Sequence, residues 1–252
     1  MAGKRRGIGA LVISIVLVVG LVVAFFIVDS GLRALAEDRV KAEITANLPE
    51  GATGDVDVSI GGASVIAQYL AGSFDRVELD APTFALDGVP AAVHVVASGV
   101  PVDRTKPVRD VTGTVDLGQE SLNTLLAAGG ETGDAELTLG AGEVSYSGTF
   151  PVFGFEIGYE ATATPSTSAD SLLFTPTGAD LTSDAGSVDV SGVIPLILGQ
   201  EPLSICIAQY LPDGVTLAGV DVTPERARIK LESSTLMLTR QSLTTLGSCS
   251  AG

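Results

Sequence analysis

The chain has no tryptophan, one histidine, two cysteines and two methionines, and its 14 lysines and arginines face 30 acidic residues in 252 positions. Each scarcity excludes a class of chemistry. One histidine and two distant cysteines do not make a standard zinc site, and no metal or cofactor is expected. Cys206 and Cys249 lie too far apart in sequence for a CxxC redox pair, so in an oxidising compartment they are expected to form one disulfide that pins the C-terminus. The excess of acid repels nucleic-acid phosphates, which bind through Lys and Arg. With aromatics at 5%, any core has to be built from Val, Leu, Ile and Ala.

Catalytic signatures are missing as well. The chain holds no GxSxG elbow, no phosphate-binding loop and no dinucleotide fingerprint. His94 sits in AAVHVV, on the face opposite Val93 and Val95; without a triad context it reads as a strand histidine at a sheet surface. The carboxylate pairs Asp55/Asp57, Asp80/Asp87, Asp184/Asp189 and Asp213/Asp221 stand beside turns or on polar strand faces, where solvated acids are the default. The protein is therefore expected not to be an enzyme.

What is present begins with residues 8–28, 21 positions without a charge, preceded by Lys4, Arg5 and Arg6. At ~1.5 Å per residue such a helix matches a ~30 Å hydrocarbon core. The basic flank places the N-terminus inside and the main domain outside the cytoplasm, as a single-pass protein. The competing reading is a cleaved signal peptide with Ala34-Leu35-Ala36 as its cleavage site; the run is longer than a usual signal core, which favours a retained anchor. Residues 1–29 are thus expected to be a cytoplasmic stub and membrane anchor, and 30–252 an extracytoplasmic, periplasmic-side domain. Beyond residue 28 lie 11 basic and 30 acidic residues, a net charge of −19.

Leu32, Leu35, Ala36, Val40, Ile44 and Leu48 recur at helical spacing and predict an amphipathic helix ended by Pro49 and Gly51. Alternation of period two follows at 56–60, 76–81, 91–98, 111–117, 135–139, 144–150 and 153–159, predicting strands. Short helices are expected at 63–71 and 119–126. Residues 161–170 read as a loop and as the best candidate for an internal break. Strands are expected to resume near 172–174 and 188–190; a helix is expected at 202–211, then strands near 215–222, 226–231 and 235–238. The pentapeptide Ile66-Ala67-Gln68-Tyr69-Leu70 returns unchanged at 207–211, a weak repeat signal.

The segment 56–79, VDVSIGGASVIAQYLAGSFDRVEL, resembles the opening signature of the LmeA-like phospholipid-binding family of actinobacterial envelope proteins: a strand, a Gly-Pro-Phe-like turn, a helix with Leu and Gln, a Gly, and another strand. Gly62-Ala63-Ser64 stands where the Pro-Phe pair is usual. Residues 111–126 and Leu211-Pro212-Asp213-Gly214-Val215 with the strands after it also resemble the family. The resemblance implies an α+β fold related to tubular lipid-binding (TULIP/BPI-like) domains, a highly curved antiparallel sheet wrapped around a long amphipathic helix. It also implies phospholipid binding, with phosphoinositide lipids and lipoglycan upkeep in the cell envelope as associations.

On this reading the domain holds, presents or shuttles lipid in an apolar groove, where each shielded methylene contributes ~0.8 kcal/mol. The expected lining is Leu35, Ile44, Ile66, Leu70, Phe74, Phe84, Phe153 and Phe155. Headgroup candidates are Arg104, Lys106 and Arg109 in one Pro-bounded loop, and Arg226, Arg228 and Lys230 on one strand face, arginine being suited to bidentate phosphate contacts. The alternatives are a non-catalytic envelope scaffold for protein interaction and, behind it, a carbohydrate enzyme with paired carboxylates.

Overall fold

The computed structural model describes residues 4–48, 51–128, 135–152, 155–183, 186–193 and 202–249. Phe153, one of the expected lining residues, lies outside them.

One helix, α1 (Lys4–Ala46), runs without interruption through the uncharged segment and the helix expected at 32–48. Among the described residues, no helix is long and apolar enough to cross a membrane; the side chains described on α1 start at Gly20. The remaining elements are β1 (Ala52–Thr53), β2 (Asp57–Ile60), α2 (Val65–Ala71), β3 (Ser73–Leu86), β4 (Val89–Pro101), β5 (Asp110–Gly118), α3 (Gln119–Ala128), β6 (Glu136–Leu139), β7 (Val144–Val152), β8 (Phe155–Thr167), β9 (Ser171–Ser183), β10 (Gly186–Asp189), β11 (Leu203–Cys206), β12 (Thr216–Thr223), β13 (Arg226–Ser233) and α4 (Arg240–Thr244).

The strands form two antiparallel sheets rather than one. The first runs β1-β3-β4-β5-β13-β12 with β2 also on β3, and the second β10-β9-β8-β7-β6 with β11 also on β9. They meet at a core of Leu139, Val222 and Ala227, with Leu122, Leu137, Val144 and Val220 packed around it. The helix α3 links the two. Its Asn123 exchanges two hydrogen bonds with the backbone of Leu137 (2.7 and 3.0 Å), and Gln119 accepts from the Leu139 amide at 3.3 Å. These side chains occupy the free edge of β6, a row that would otherwise invite another strand.

Contrary to expectation, α1 is not enclosed by sheet. It packs on β2 and α2, and Leu35 is 65% exposed. What holds it is a polar ladder at every fourth residue, the spacing that places side chains on one helix face. Asp29 accepts from the Ser64 hydroxyl (2.7 Å) and the Val65 and Ile66 amides (3.2 and 3.0 Å). Arg33 donates to the carbonyls of Ile60 (2.6 Å) and Gly62 (2.8 Å). Glu37 accepts from the Ile60 amide at 2.8 Å, and Lys41 pairs with Asp57 at 2.9 Å. The helix thereby caps the outer edge of β2.

Two further expectations are corrected. Residues 161–167 are strand, not loop: β8 continues through them against β9. Thr and Ser suit strands, and Pro165 lies beyond Ala163, the last residue of β8 paired to β7, where its missing N–H costs no ladder bond. Residues 202–211 are β11 followed by a 3-10 turn, Ala208–Tyr210. The first copy of the pentapeptide is a helix because Ser64 caps it, accepting from the Ala67 amide; the second has no side-chain cap and follows Cys206, which is bonded to Cys249. Residues 235–238 contribute only an isolated bridge, Pro107 to Met237.

The Asp29 carboxyl is 2% exposed and held below the usual carboxylate range. The Ile66 amide is the largest cause; burial opposes it, and Ser64, Val65 and Arg33 reinforce it. A folded-state value below the unfolded ~3.9 means stability present above that pH and lost as pH falls through the lower folded value. Asp29→Asn is expected to lower the melting temperature at pH 7, with the gap to wild type closing as the pH falls through the lowered folded-state value; a gap independent of pH would remove this account. Cys206 and Cys249 close a loop with a sequence separation of 43. Replacing both with Ser is expected to cost about 2–5 kcal/mol in urea unfolding.

Candidate functional site

The ladder register of the first sheet sorts its side chains by chemistry. Leu79 pairs with Val95, Val95 with Gly113, Gly113 with Leu231, and Leu231 with Leu217; one rung on, Ala81, Val93, Val115, Ile229 and Val220 line up in the same way. Because alternate residues share a face, these rows and the neighbouring Val77, Ala97 and Val111 make one surface of aliphatic side chains. The opposite face carries Glu78, Asp80, His94, Thr114, Asp116, Arg228 and Lys230.

An aliphatic sheet face is ordinarily covered, and here its margins are. Ile60, Ala81, Leu217, Val222 and Ala227 are all under 10% exposed. Its centre is not. Leu79, Val93, Val95, Val115, Ile229 and Leu231 are half-buried, as are His94, Thr114 and Arg228 on the charged face. No helix among the described residues packs broadly on β12 or β13.

The second sheet continues this surface. Leu137, Val144, Tyr146, Phe150, Ile157, Tyr159, Ala161 and Leu181 follow one another across its ladders, and Leu137 and Val144 share the core cluster with Val220 and Val222. Within it Tyr159 packs between Tyr146 and Phe150, with ring centroids 5.7 and 6.0 Å apart. A hydrogen bond shared with Tyr146, then burial, push the Tyr159 phenol above its ordinary pKa. Gly148 makes this possible, since a Cβ there would lie 2.6 Å from the Tyr159 hydroxyl. Phe150 is 39% exposed and Val188 62%, so this face is open too.

The expected lining residues are not brought together. Ile44 is half-buried on the inner side of α1 and Ile66 on α2, while Leu70 on α2 is 80% exposed. Phe74 pairs with Val100 and shares a face with Arg76 and Glu78, away from Leu79. Phe84, past the β3 bulge, pairs with Ala91 and borders a concavity of about 560 Å³. Phe155 pairs with Val152 at the start of β8. The aliphatic rows carried a signal, the strict alternation in 91–97, 111–117 and 226–231; choosing large aromatics as lining passed over it.

The headgroup candidates are mostly engaged. Arg104 makes a two-pronged contact with Glu43 (2.8 and 3.1 Å) that holds the Glu43 carboxyl below its usual range. Lys106 lies 4.0 Å from Asp103, and Arg109 stands beside Gly99. Arg228 grips Asp116 with two bonds of 2.6 and 2.7 Å; Arg226 is 3.9 Å from the same carboxylate, and Lys230 meets Asp221 at 2.5 Å. His94 shares a hydrogen bond with Asp80 at 2.5 Å. Asp80, His94, Thr114, Asp116 and Arg228 line a second concavity of about 560 Å³ on this charged side.

A partly exposed aliphatic surface across two joined sheets, with cations tied to carboxylates on the reverse face, is an arrangement for holding apolar matter. The family model for LmeA-like phospholipid-binding proteins matches residues 27–232. The chain belongs to that family. It is a binding family, and lipid binding is the activity its members share by description. No curated protein and no solved structure matches the chain.

Gly148→Val is expected to displace the Tyr159 ring, weaken the near-ultraviolet tyrosine dichroism and cost about 1–3 kcal/mol in denaturant unfolding, as overpacking does. An unchanged spectrum would show that the ring does not depend on the glycine.

Proposed function

We propose that this protein is a membrane-anchored, extracytoplasmic phospholipid-binding protein that holds, presents or shuttles lipid acyl chains along its aliphatic sheet surface in the upkeep of envelope lipids or lipoglycans. The half-buried aliphatic centre of the first sheet is the observation that carries the reading. Family membership supplies the ligand class, and a phosphatidylinositol-type headgroup is the finer expectation. Residues 8–28 serve as the anchor, with the N-terminus inside. Val, Leu and Ile on a flat rung suit acyl chains because contact with methylene groups needs no directional partner. The charged face, with Arg226, Arg228 and Lys230, is then turned away from the chains.

A scaffold module is the second reading, supported by the same openness, since another protein could cover that surface. Lipid content separates the two. Val95 stands in the middle of the aliphatic rows, and Thr112 on the reverse face of β5 is exposed. Val95→Asp would place an unpaired carboxylate against acyl chains, a cost above the ~1.4 kcal/mol that means tenfold. Native mass spectrometry with lipid extraction is expected to find phospholipid on the wild type and on Thr112→Asp, and at least about tenfold less on a folded Val95→Asp. Wild type that carries no phospholipid and takes up none would overturn lipid binding on this surface and favour the scaffold.

A further inference from the structure

The placement of α2 has a use that lipid holding alone does not explain. Asp29 is the first charge after Arg6, so it marks the end of the apolar run, and its carboxylate holds the start of α2. The short helix is therefore fixed at the level where the run ends. Around it, residues 58–74 contain no charge, the longest such stretch beyond residue 29. Two of its apolar side chains point outward: Leu70 is 80% exposed and Tyr69 60%. The neighbouring turns of α1 are equally bare, with Leu21 68%, Phe26 54%, Ile27 66% and Val28 57% exposed.

We infer that α2 is seated in the interfacial layer of the bilayer that α1 enters, with Leu70 in the acyl boundary and Tyr69 at headgroup level. This rests on the anchor reading above. Three observations select a bilayer rather than a protein as the occupant. The exposed Leu70 and Tyr69 lie on a helix whose start is held by Asp29, the residue that follows the exposed Ile27 and Val28 at the end of the apolar run. A domain of net charge −19 is repelled by an anionic leaflet, so an approach to the surface requires a charge-free element, and α2 provides one. Tyrosine, with an apolar body and a polar tip, is the side chain enriched at that depth. Since α2 leads directly into β3, the contact brings the β3 margin of the aliphatic face to the membrane, the position from which a lipid could enter it.

The second copy of the pentapeptide is a built-in control. Tyr210 is 72% exposed but lies in the 3-10 turn near the start of β12, the edge of the sheet opposite β3, about four strand spacings or ~19 Å away. Because the chain has no tryptophan, Tyr69→Trp and Tyr210→Trp are each a sole reporter. The full chain is reconstituted into vesicles of phosphatidylcholine and phosphatidylglycerol with brominated acyl chains, and vesicle flotation is measured beside fluorescence. The expected result is flotation of both variants, with position 69 blue-shifted and quenched about twofold or more and position 210 unquenched. Flotation with position 69 unquenched, or equal quenching at both positions, overturns the docking of α2 and leaves the anchor standing. Failure to float overturns the anchor and the docking together.

Discussion

Asp29 is the only charged side chain that is buried among the described residues, and the relation of α1 to the rest of the chain depends on it. A carboxylate taken out of water is costly unless its lone pairs are filled; here a hydroxyl and two amides at the start of α2 fill them, with Arg33 adjacent at 3.8 Å. The same contacts give α2 an anion at its N-terminus, where the helix dipole favours one. Arg33, Glu37 and Lys41 repeat the device down the helix. The result is a helix fixed by directional bonds to one edge of the sheet, and this is why the aliphatic face of the sheet stays free of it.

That freedom requires control of association, because a partly exposed aliphatic surface is also a surface for aggregation. The chain carries two safeguards. Two of the ladder ends are occupied, β2 by α1 and β6 by side chains of α3. And the excess of acidic residues makes copies repel one another. Few cations remain to offset it: Arg104, Arg228 and Lys230 are each held by a carboxylate, so positive charge serves to join segments rather than to gather anions. Asp116, held below its usual range chiefly by its hydrogen bonds with Arg228, fastens β13 to β5 on the charged side while the aliphatic side has no such fastening.

Much of this was legible in the sequence. Alternation located nearly all the strands of the first sheet, and the spacing of Gln119 to Leu126 located α3. Polar partners at long range were not legible. Leu32 and Leu35 looked like the inner stripe of α1, yet the inner side holds Arg33, Glu37 and Lys41, because their partners on β2 and in the turn after it are backbone groups and Asp57, which no periodicity reveals. Pro165 suggests a loop, yet β7 begins at Val144, opposite Ala163, so the strand of Pro165 is an edge there. The identical pentapeptides are the plainest case: the same five residues form a helix behind Ser64 and a 3-10 turn behind Cys206, so the cap and the disulfide, not the local sequence, decide.

The unbroken course of α1 bears on how a lipid would be handled. If residues 8–28 are anchored as proposed, no linker separates anchor from domain: helical hydrogen bonding continues to Ala46, and the ladder from Asp29 to Lys41 joins the helix to β2 and α2 over that length. A domain that ferries lipid across an aqueous gap needs a flexible tether, whose reach grows with the number of unstructured residues; this chain has none between the run and its first contact with the domain, made by Asp29 at the start of α2. On that proposal the geometry favours a domain held at a fixed attitude to the membrane over one that travels. Long-range shuttling would require the Asp29 contacts to open, and their number makes that opening the costly step.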